Sequence, residues 1–188
     1  MEFSELLLKR RSIRNFQEAP VAPDMITSIL SDSILAPSAG NEQPWKFIIV
    51  SNREMIDRIS GVCKKSMLDR IASNPNDYAK KYEKMLQKES FHIFYHAPVV
   101  IYIVGERGLK NLYVDCALAA SYLMMSAASK GLGSCWVNFG TEIHDPALRN
   151  ELGIAEDHQV VAPIALGYPV KIPAVPRRRD PQILKVIK

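Results

Sequence analysis

One apolar run, 112–130 (LYVDCALAASYLMMSAASK), followed by GLGSCWVNFG over 131–140, constrains this chain more than any other feature. The run has no polar stripe, and a helix without one has no solvent face, so it must be covered on most sides. Ala117, Ala119, Ala120, Ser121, Ala127 and Ala128 are small enough to let neighbouring backbones approach closely. A chain of 188 residues has few ways to supply all that cover, so a second subunit is expected to supply part of it. Lys130 suits the C-terminal end of a helix dipole, and Gly131 suits the left-handed residue that ends one. The length also fits a membrane span. Against that, Asp115 interrupts the run, alanine and serine dilute it, and no aromatic belt flanks it. A buried core helix and no membrane are expected.

Two basic clusters lie near opposite ends of the chain, Lys9-Arg10-Arg11-Ser12-Ile13-Arg14 and Arg177-Arg178-Arg179. Guanidinium groups bind phosphate oxygens in pairs and stay charged. The clusters are expected to meet over the end of the central unit and hold an anionic cofactor there. A solvated helix end is the plainer reading of the first cluster, but Ile13 and Phe16 would anchor it on a core and fix its side-chain directions. Between 36 and 45 the chain reads APSAGNEQPW, dense in small and amide side chains. Such a loop lets backbone N–H groups come close to a ligand while Asn41 and Gln43 offer specific hydrogen bonds.

Periodicity predicts a short helix over 1–9, with Phe3, Leu6, Leu7 and Leu8 on its apolar side. It predicts a second over 23–36, with Met25, Ile26, Ile29, Leu30 and Ile34 inward, and a third over 53–62. KFIIVS at 46–51 reads as a buried strand, PVVIYIV at 98–104 as a central one, and 131–140 as β-like. A short helix at 145–152 precedes a buried strand at 160–166, where Pro163 suggests a bulge or an edge. From Cys63 to Tyr95 the pattern weakens; an exposed helix is expected at 78–88, and the region is expected to cover the site, with Phe91, Phe94 and Tyr95 as its aromatic edge. The proline-bearing tail with its apolar end, Ile183 to Ile187, has little reason to stay ordered alone. One domain over 1–188 is expected, its arm from about 168 packing on a partner.

The net charge of +4 is small, and the basic clusters lack interleaved aromatics, which argues against nucleic acid. Three cysteines, Cys63, Cys116 and Cys135, with no CxxC pair and no His/Cys cluster, argue against a disulfide framework or a metal site. Cys116 and Cys135, in apolar surroundings, read as core thiols. The N-terminus has acidic residues where a signal peptide needs basic ones, so the cytoplasm is expected. The four histidines, His92, His96, His144 and His158, are scattered and read as structural or surface residues. No catalytic side chain is expected.

These motifs together resemble the flavin-dependent nitroreductase family over almost the whole chain. The likeness is carried by Arg10-Arg11-Ser12-Ile13-Arg14, by Pro37-Ser38-Ala39-Gly40-Asn41-Glu42-Gln43-Pro44-Trp45 and by Asp115-Cys116-Ala117-Leu118-Ala119-Ala120. Gly131-Leu132-Gly133-Ser134-Cys135-Trp136 and Leu166-Gly167-Tyr168-Pro169 with the terminal arginines complete it. Each is weak alone; their order and spacing make the signal. The resemblance implies an α+β fold with a central mixed or antiparallel sheet flanked by helices, in an intertwined homodimer with FMN bound between subunits. It implies NADH or NADPH as electron donor, a small nitroaromatic or quinone-type acceptor, and exchange in two separate steps.

Carried over residue by residue, Arg10, Arg11, Ser12 and Arg14 match the opening flavin motif, with Arg14 reaching the O2/N1 edge of the ring. There a positive charge tunes the potential. Arg177 and Arg179 match a phosphate pair, Pro37, Ser38, Ala39 and Asn41 the loop given by the other subunit, and Asn138 and Phe139 the segment facing N5. Two departures stand out: Phe139 where a small residue is usual, which would narrow substrate access, and Ala39 where a second serine is common. Lys64, Lys65, Ser66 and Asn74 are all candidates for the polar contact to the N3/O4 edge. Alternatives are ene reduction, dehalogenation or flavin fragmentation on the same fold, or a non-catalytic flavin-binding protein.

Overall fold

In the computed structural model, which describes residues 2–188, the framework is a four-stranded antiparallel sheet. Its strands are β1 (Lys46–Val50), β2 (Val99–Glu106), β3 (Gly133–Trp136) and β4 (His158–Gly167), ordered β1-β2-β4-β3. Around it lie α1 (Phe3–Lys9), α2 (Pro23–Ser33), α3 (Arg53–Ser73), α4 (Glu83–Leu86), α5 (Leu112–Ser129) and α6 (Pro146–Glu151). The antiparallel α+β architecture is the expected one. Met1, the first residue of the expected N-terminal helix, lies outside the described residues.

Strand β2 shows why the sheet is central. Its side chains alternate between two cores: Val100, Tyr102 and Val104 meet Ile56, Ile59 and Cys63 of α3, while Val99, Ile101 and Ile103 meet Ile29 of α2 and Ala119 and Leu123 of α5. Strand β4 follows the same rule with one interruption. Ile103 pairs with Ala162 and Val104 with Val160, so Val161 is an extra residue. That bulge lets Val161 and Ala162 both serve the α5 side while Val160 turns to the other.

Pro163 is therefore in an interior strand, not at an edge. Its carbonyl accepts the Val137 N–H at 2.8 Å, but a proline has no hydrogen to return, and the β3 ladder ends at Trp136.

Helix α5 lies on the sheet as a core helix, with Cys116, Ala119, Ala120, Leu123 and Ala127 fully buried. It is long and apolar enough for a membrane by length and composition, yet half of it is buried in protein. Ser33 Oγ donates to the Ala119 carbonyl at 2.8 Å, which holds α2 against it. Gly131, at φ +82°, ends it in the left-handed region, as expected. Its other side is open: Tyr113 and Val114 are 61% and 62% exposed, and Tyr122 is also exposed. Phe3, Leu7 and Leu8, on the apolar side expected of α1, are exposed too.

Several expectations need correction. Helix α3 runs to Ser73, well past Val62, because Met67 and Ile71 prolong its buried stripe under the lysines of its outer face. The helix expected at 78–88 is a 3-10 turn (Tyr78–Tyr82) followed by the single turn of α4, with Ala79 and Leu86 buried against Met67 and Ile71. Strand β1 is an edge strand, with Lys46 and Ile49 exposed. The β-like stretch stops at Trp136, and Asn138–Thr141 is a 3-10 turn. Helix α2 ends early, leaving Ile34 exposed.

Candidate functional site

The Arg10–Arg14 segment is built onto the free edge of β3. Ser12 bridges Ser134 in parallel, the Ile13 N–H donates to the Ser134 carbonyl at 3.0 Å, and Phe16 bridges Pro169. Ile13 and Phe16 are buried, which fixes the alternation and turns Ser12 and Arg14 outward. Arg11 is drawn inward. It is 9% exposed, its Nη1 donates to the Leu7 and Arg10 carbonyls, and its Nε and Nη2 are buried without any partner. Lys9, Arg10, Arg11, Gly131, Gly133 and Ser134 line a cleft there at the C-terminal end of α5. A buried guanidinium with idle donors and, among the described residues, no carboxylate paired with it is chemically matched to an anion of phosphate type.

Arg14 stands further along the same edge, its guanidinium carbon 5.8 Å from the Tyr95 ring centroid. Burial acts against its charge, but hydrogen bonding to Tyr95 and the field of Cys135 and Tyr95 hold its pKa above the ordinary arginine value. Asn138 and Phe139 follow β3 in the 3-10 turn. Phe139 is half-buried, its ring edge-on to Tyr82 at 5.3 Å, so the residue departing from the family's usual small side chain is tied to the 78–88 cover. Arg70 of α3 pairs with Asp77 at 3.0 Å and with Glu142 next to that turn, joining cover and turn to one cation.

The Pro37–Asn41 loop lies elsewhere. The Ala39 N–H donates to Oδ1 of Asp115 at 3.1 Å, in the first turn of α5. Ser38 Oγ accepts the Gln43 N–H at 3.0 Å, and Asn41 Oδ1 accepts from Gln43 Nε2 at 3.1 Å. Asp115 is buried, its Oδ2 has no partner, and its part in pinning the loop spans a sequence gap too long to be read from the motif alone. The cleft of Arg11 touches Ala128 at the other end of α5. Thirteen helical residues at 1.5 Å each put the two about 20 Å apart. Within one chain the loop and the arginine cluster are not brought together.

Nor are the two arginine clusters. Arg177, Arg178 and Arg179 lie on the exposed 170–188 arm, and among the described residues no hydrogen bond joins them to Arg10, Arg11 or Arg14. The candidates for the ring's polar edge divide. Lys64 donates to the Lys88 and Phe91 carbonyls at 2.8 and 2.9 Å, and Asn74 accepts the Asn76 N–H at 3.2 Å, so both serve the local fold. Lys65 is exposed and Ser66 half-buried.

The cysteines are free and buried, and burial pushes the Cys63 and Cys116 thiols up to about 12, which removes them as nucleophiles. The histidines are less scattered than expected: His92, His96 and Asp57 converge. Burial first, then the neighbouring His96, lowers the His92 pKa to about 4, with Arg53 adding to the effect and Asp57 opposing it. Its folded pKa is thus below its ordinary 6.5, so the unfolded chain takes the proton first. Stability from this group is complete above about 6.5 and is lost as the pH falls toward about 4. Urea unfolding across that window should show the loss in the wild type and a shallower one in His92→Asn.

Sequence comparison decides the kinship. The model of the nitroreductase family matches residues 7–168. The chain belongs to the nitroreductase family. Among nitroreductase relatives, an Archaeoglobus fulgidus protein provisionally described as an NADH dehydrogenase/NAD(P)H nitroreductase is 32% identical over 174 residues, covering 89% of this chain and 86% of its own. A 4-nitrobenzoate reductase of Pseudomonas putida is 25% identical over 195 residues, covering 89% and 85%. Among solved structures, a nitroreductase with bound FMN from Bacteroides fragilis superposes with a TM-score of 0.83 at 26% identity, covering 100% of this chain and 99% of that one. The resemblance read from the motifs is borne out, and so is the nitroreductase fold.

Proposed function

We propose that the protein is an FMN-dependent oxidoreductase that draws electrons from NADH or NADPH and passes them, in two separate half-reactions, to a small aromatic acceptor of nitroaromatic or quinone type. The observation that carries this reading is Arg11, a buried guanidinium with two idle nitrogens at a cleft shared with Arg10. Membership of the nitroreductase family and the FMN in the Bacteroides fragilis relative supply the identity of the anion. Bound FMN supplies the redox chemistry, accepting a hydride equivalent from the nicotinamide and donating it to the acceptor.

The chain's own residues bind, orient and charge the site. Arg10, Arg11 and Ser12 hold the phosphate end, and Arg14 sets a cation at the pyrimidine edge of the ring. Asn138 and Phe139 present backbone to its reactive face. Phe139, braced by Tyr82, narrows the slot above it. No acid, base or nucleophile of the protein is needed, in keeping with the high thiol pKa values of Cys63 and Cys116.

The working unit is a homodimer. The separation of about 20 Å along α5 means that Pro37, Ser38, Ala39 and Asn41 reach a flavin held by Arg11 only from a second copy. The exposed Tyr113, Val114 and Tyr122 of α5 and the apolar tail, where Leu184 is 99% exposed, are the surfaces such a partner covers. On this reading 1–188 is one domain, with its arm from about 168 lying on the partner and carrying Arg177 and Arg179 to the phosphate. Three unpaired thiols suit a reducing cytoplasm.

Arg14→Ala is expected to weaken FMN binding about tenfold, or 1.4 kcal/mol, and to slow reduction by NAD(P)H. Flavin titration and anaerobic stopped-flow measure the two, and no change in either removes Arg14 from the site. Parallel lines in double-reciprocal plots across an acceptor panel support the two-step exchange; intersecting lines oppose it. The same panel separates nitro and quinone reduction from ene reduction and dehalogenation.

A further inference from the structure

We propose that Tyr95 is a positioning residue for Arg14, held in place by a clamp of Asp57, His92, His96 and Arg53, and that it thereby tunes the reduction potential of the bound flavin. The inference rests on the FMN reading above. It begins from the backbone: Tyr95 and His96 both have φ of +56°, two consecutive non-glycine residues in the left-handed region. One such residue is uncommon, and strain of this kind persists only where the surroundings over-determine it.

The surroundings here do so. Nδ1 of His92 accepts the N–H of Phe94 at 3.1 Å and that of His96 at 3.4 Å, and the Tyr95 N–H donates to the His92 carbonyl at 2.9 Å. Arg53 donates to the His96 carbonyl at 3.2 Å, meets its Nδ1 at 3.0 Å and pairs with Asp57 at 3.3 Å. The His92 and His96 rings lie 4.5 Å apart.

Asp57, His92 and His96 also have the composition of a metal triad, but the hydrogen bonds assign them otherwise. With Nδ1 of His92 receiving two backbone donors, the proton of the neutral ring sits on Nε2, which lies 3.1 Å from Asp57 Oδ1 without the alignment of a hydrogen bond. A protonated ring nitrogen is not a metal ligand. The guanidinium of Arg53 occupies the cation's place beside Asp57 and His96.

What the clamp delivers is the Tyr95 ring against Arg14, at 5.8 Å from the guanidinium carbon. Among the described residues no carboxylate pairs with Arg14. A carboxylate would fix the side chain and cancel its field; an aromatic ring with a hydroxyl fixes it and leaves the charge to act. Negative charge that develops at the flavin's pyrimidine edge on reduction then meets a cation already in place, without reorganisation.

The test compares wild type with Tyr95→Leu and Tyr95→Phe, each reconstituted with FMN, by flavin titration and by the two-electron midpoint potential. Tyr95→Leu is expected to bind oxidised FMN within about threefold of wild type, yet to lose about tenfold in relative affinity for the reduced form. That is a midpoint about 30 mV lower. Tyr95→Phe, which restores the ring, is expected to recover at least half of the shift. Should the leucine variant fail to fold, Tyr95→Asn, whose side chain tolerates left-handed backbone, replaces it with the same expected shift. An unchanged potential in a folded, flavin-loaded Leu or Asn variant overturns the proposal while leaving the FMN reading intact. Wild type that binds no FMN overturns both.

Discussion

Arg11→Ala is expected to weaken FMN binding at least a hundredfold while leaving the flavin-free protein as stable as wild type. The two halves have one cause. Arg11 is buried with Nε and Nη2 unpartnered and, among the described residues, no carboxylate paired with it, so in the free protein only the Leu7 and Arg10 carbonyls offset the cost of its burial. A phosphate supplies forked, charge-assisted bonds to those same nitrogens. A hundredfold corresponds to about 2.8 kcal/mol, a modest share for a buried ion pair. Arg11→Lys is expected to recover only part of it, since an ammonium cannot offer the planar fork. Quenching of flavin fluorescence gives the affinity, and thermal melting with and without FMN gives the stability. A variant that binds FMN normally, or that loses stability without it, would show that Arg11 is a structural cation.

Gly133→Val is expected to cost about 3 kcal/mol of stability and to abolish flavin retention. A β-carbon at Gly133 would lie 2.5 Å from Cγ1 of Ile13, 2.9 Å from its Cβ and 3.0 Å from its Cγ2. Ile13 is branched and stiff, and its own N–H is bonded to Ser134, so it has nowhere to turn. The Arg10–Arg14 segment must therefore leave the edge of β3, taking the phosphate donors with it. Gly153→Ala is the control. No atom lies near its added β-carbon, and only the φ of +71° is strained, so it should lose about 1 kcal/mol and keep its flavin. Urea unfolding and the flavin-to-protein absorbance ratio distinguish the two. A Gly133→Val protein with full flavin content would contradict this coupling.

What could be read from the sequence follows from how local its cause is. Helix α5 and strand β2 are legible because their apolar patterns have no other solution, and the arginine motif because guanidinium chemistry is specific. The second half of α3 was hidden by Lys64 and Lys65: its buried positions, Met67 and Ile71, cluster with Ala79 and Leu86 of a segment whose own pattern is weak, and with Tyr82, Phe91 and Phe139 around them. The turn that places Tyr95 was not legible at all. Its left-handed residues are imposed by His92, Asp57 and Arg53, and nothing at positions 95 or 96 advertises that conformation. Asp115 was recognisable as part of a motif, but its bond to Ala39 joins residues far apart in the chain. The Arg177–Arg179 arm lies open, with Ile183, Leu184, Val186 and Ile187 of its apolar end exposed.

The most direct test of the central claim is the visible absorption spectrum of the purified protein, incubated with FMN and then mixed anaerobically with NADH or NADPH. The account predicts a protein-bound flavin spectrum that bleaches on addition of the nicotinamide. A flavin that stays oxidised with both donors would contradict the NAD(P)H-dependent reaction, and a protein that retains no flavin would contradict the site itself.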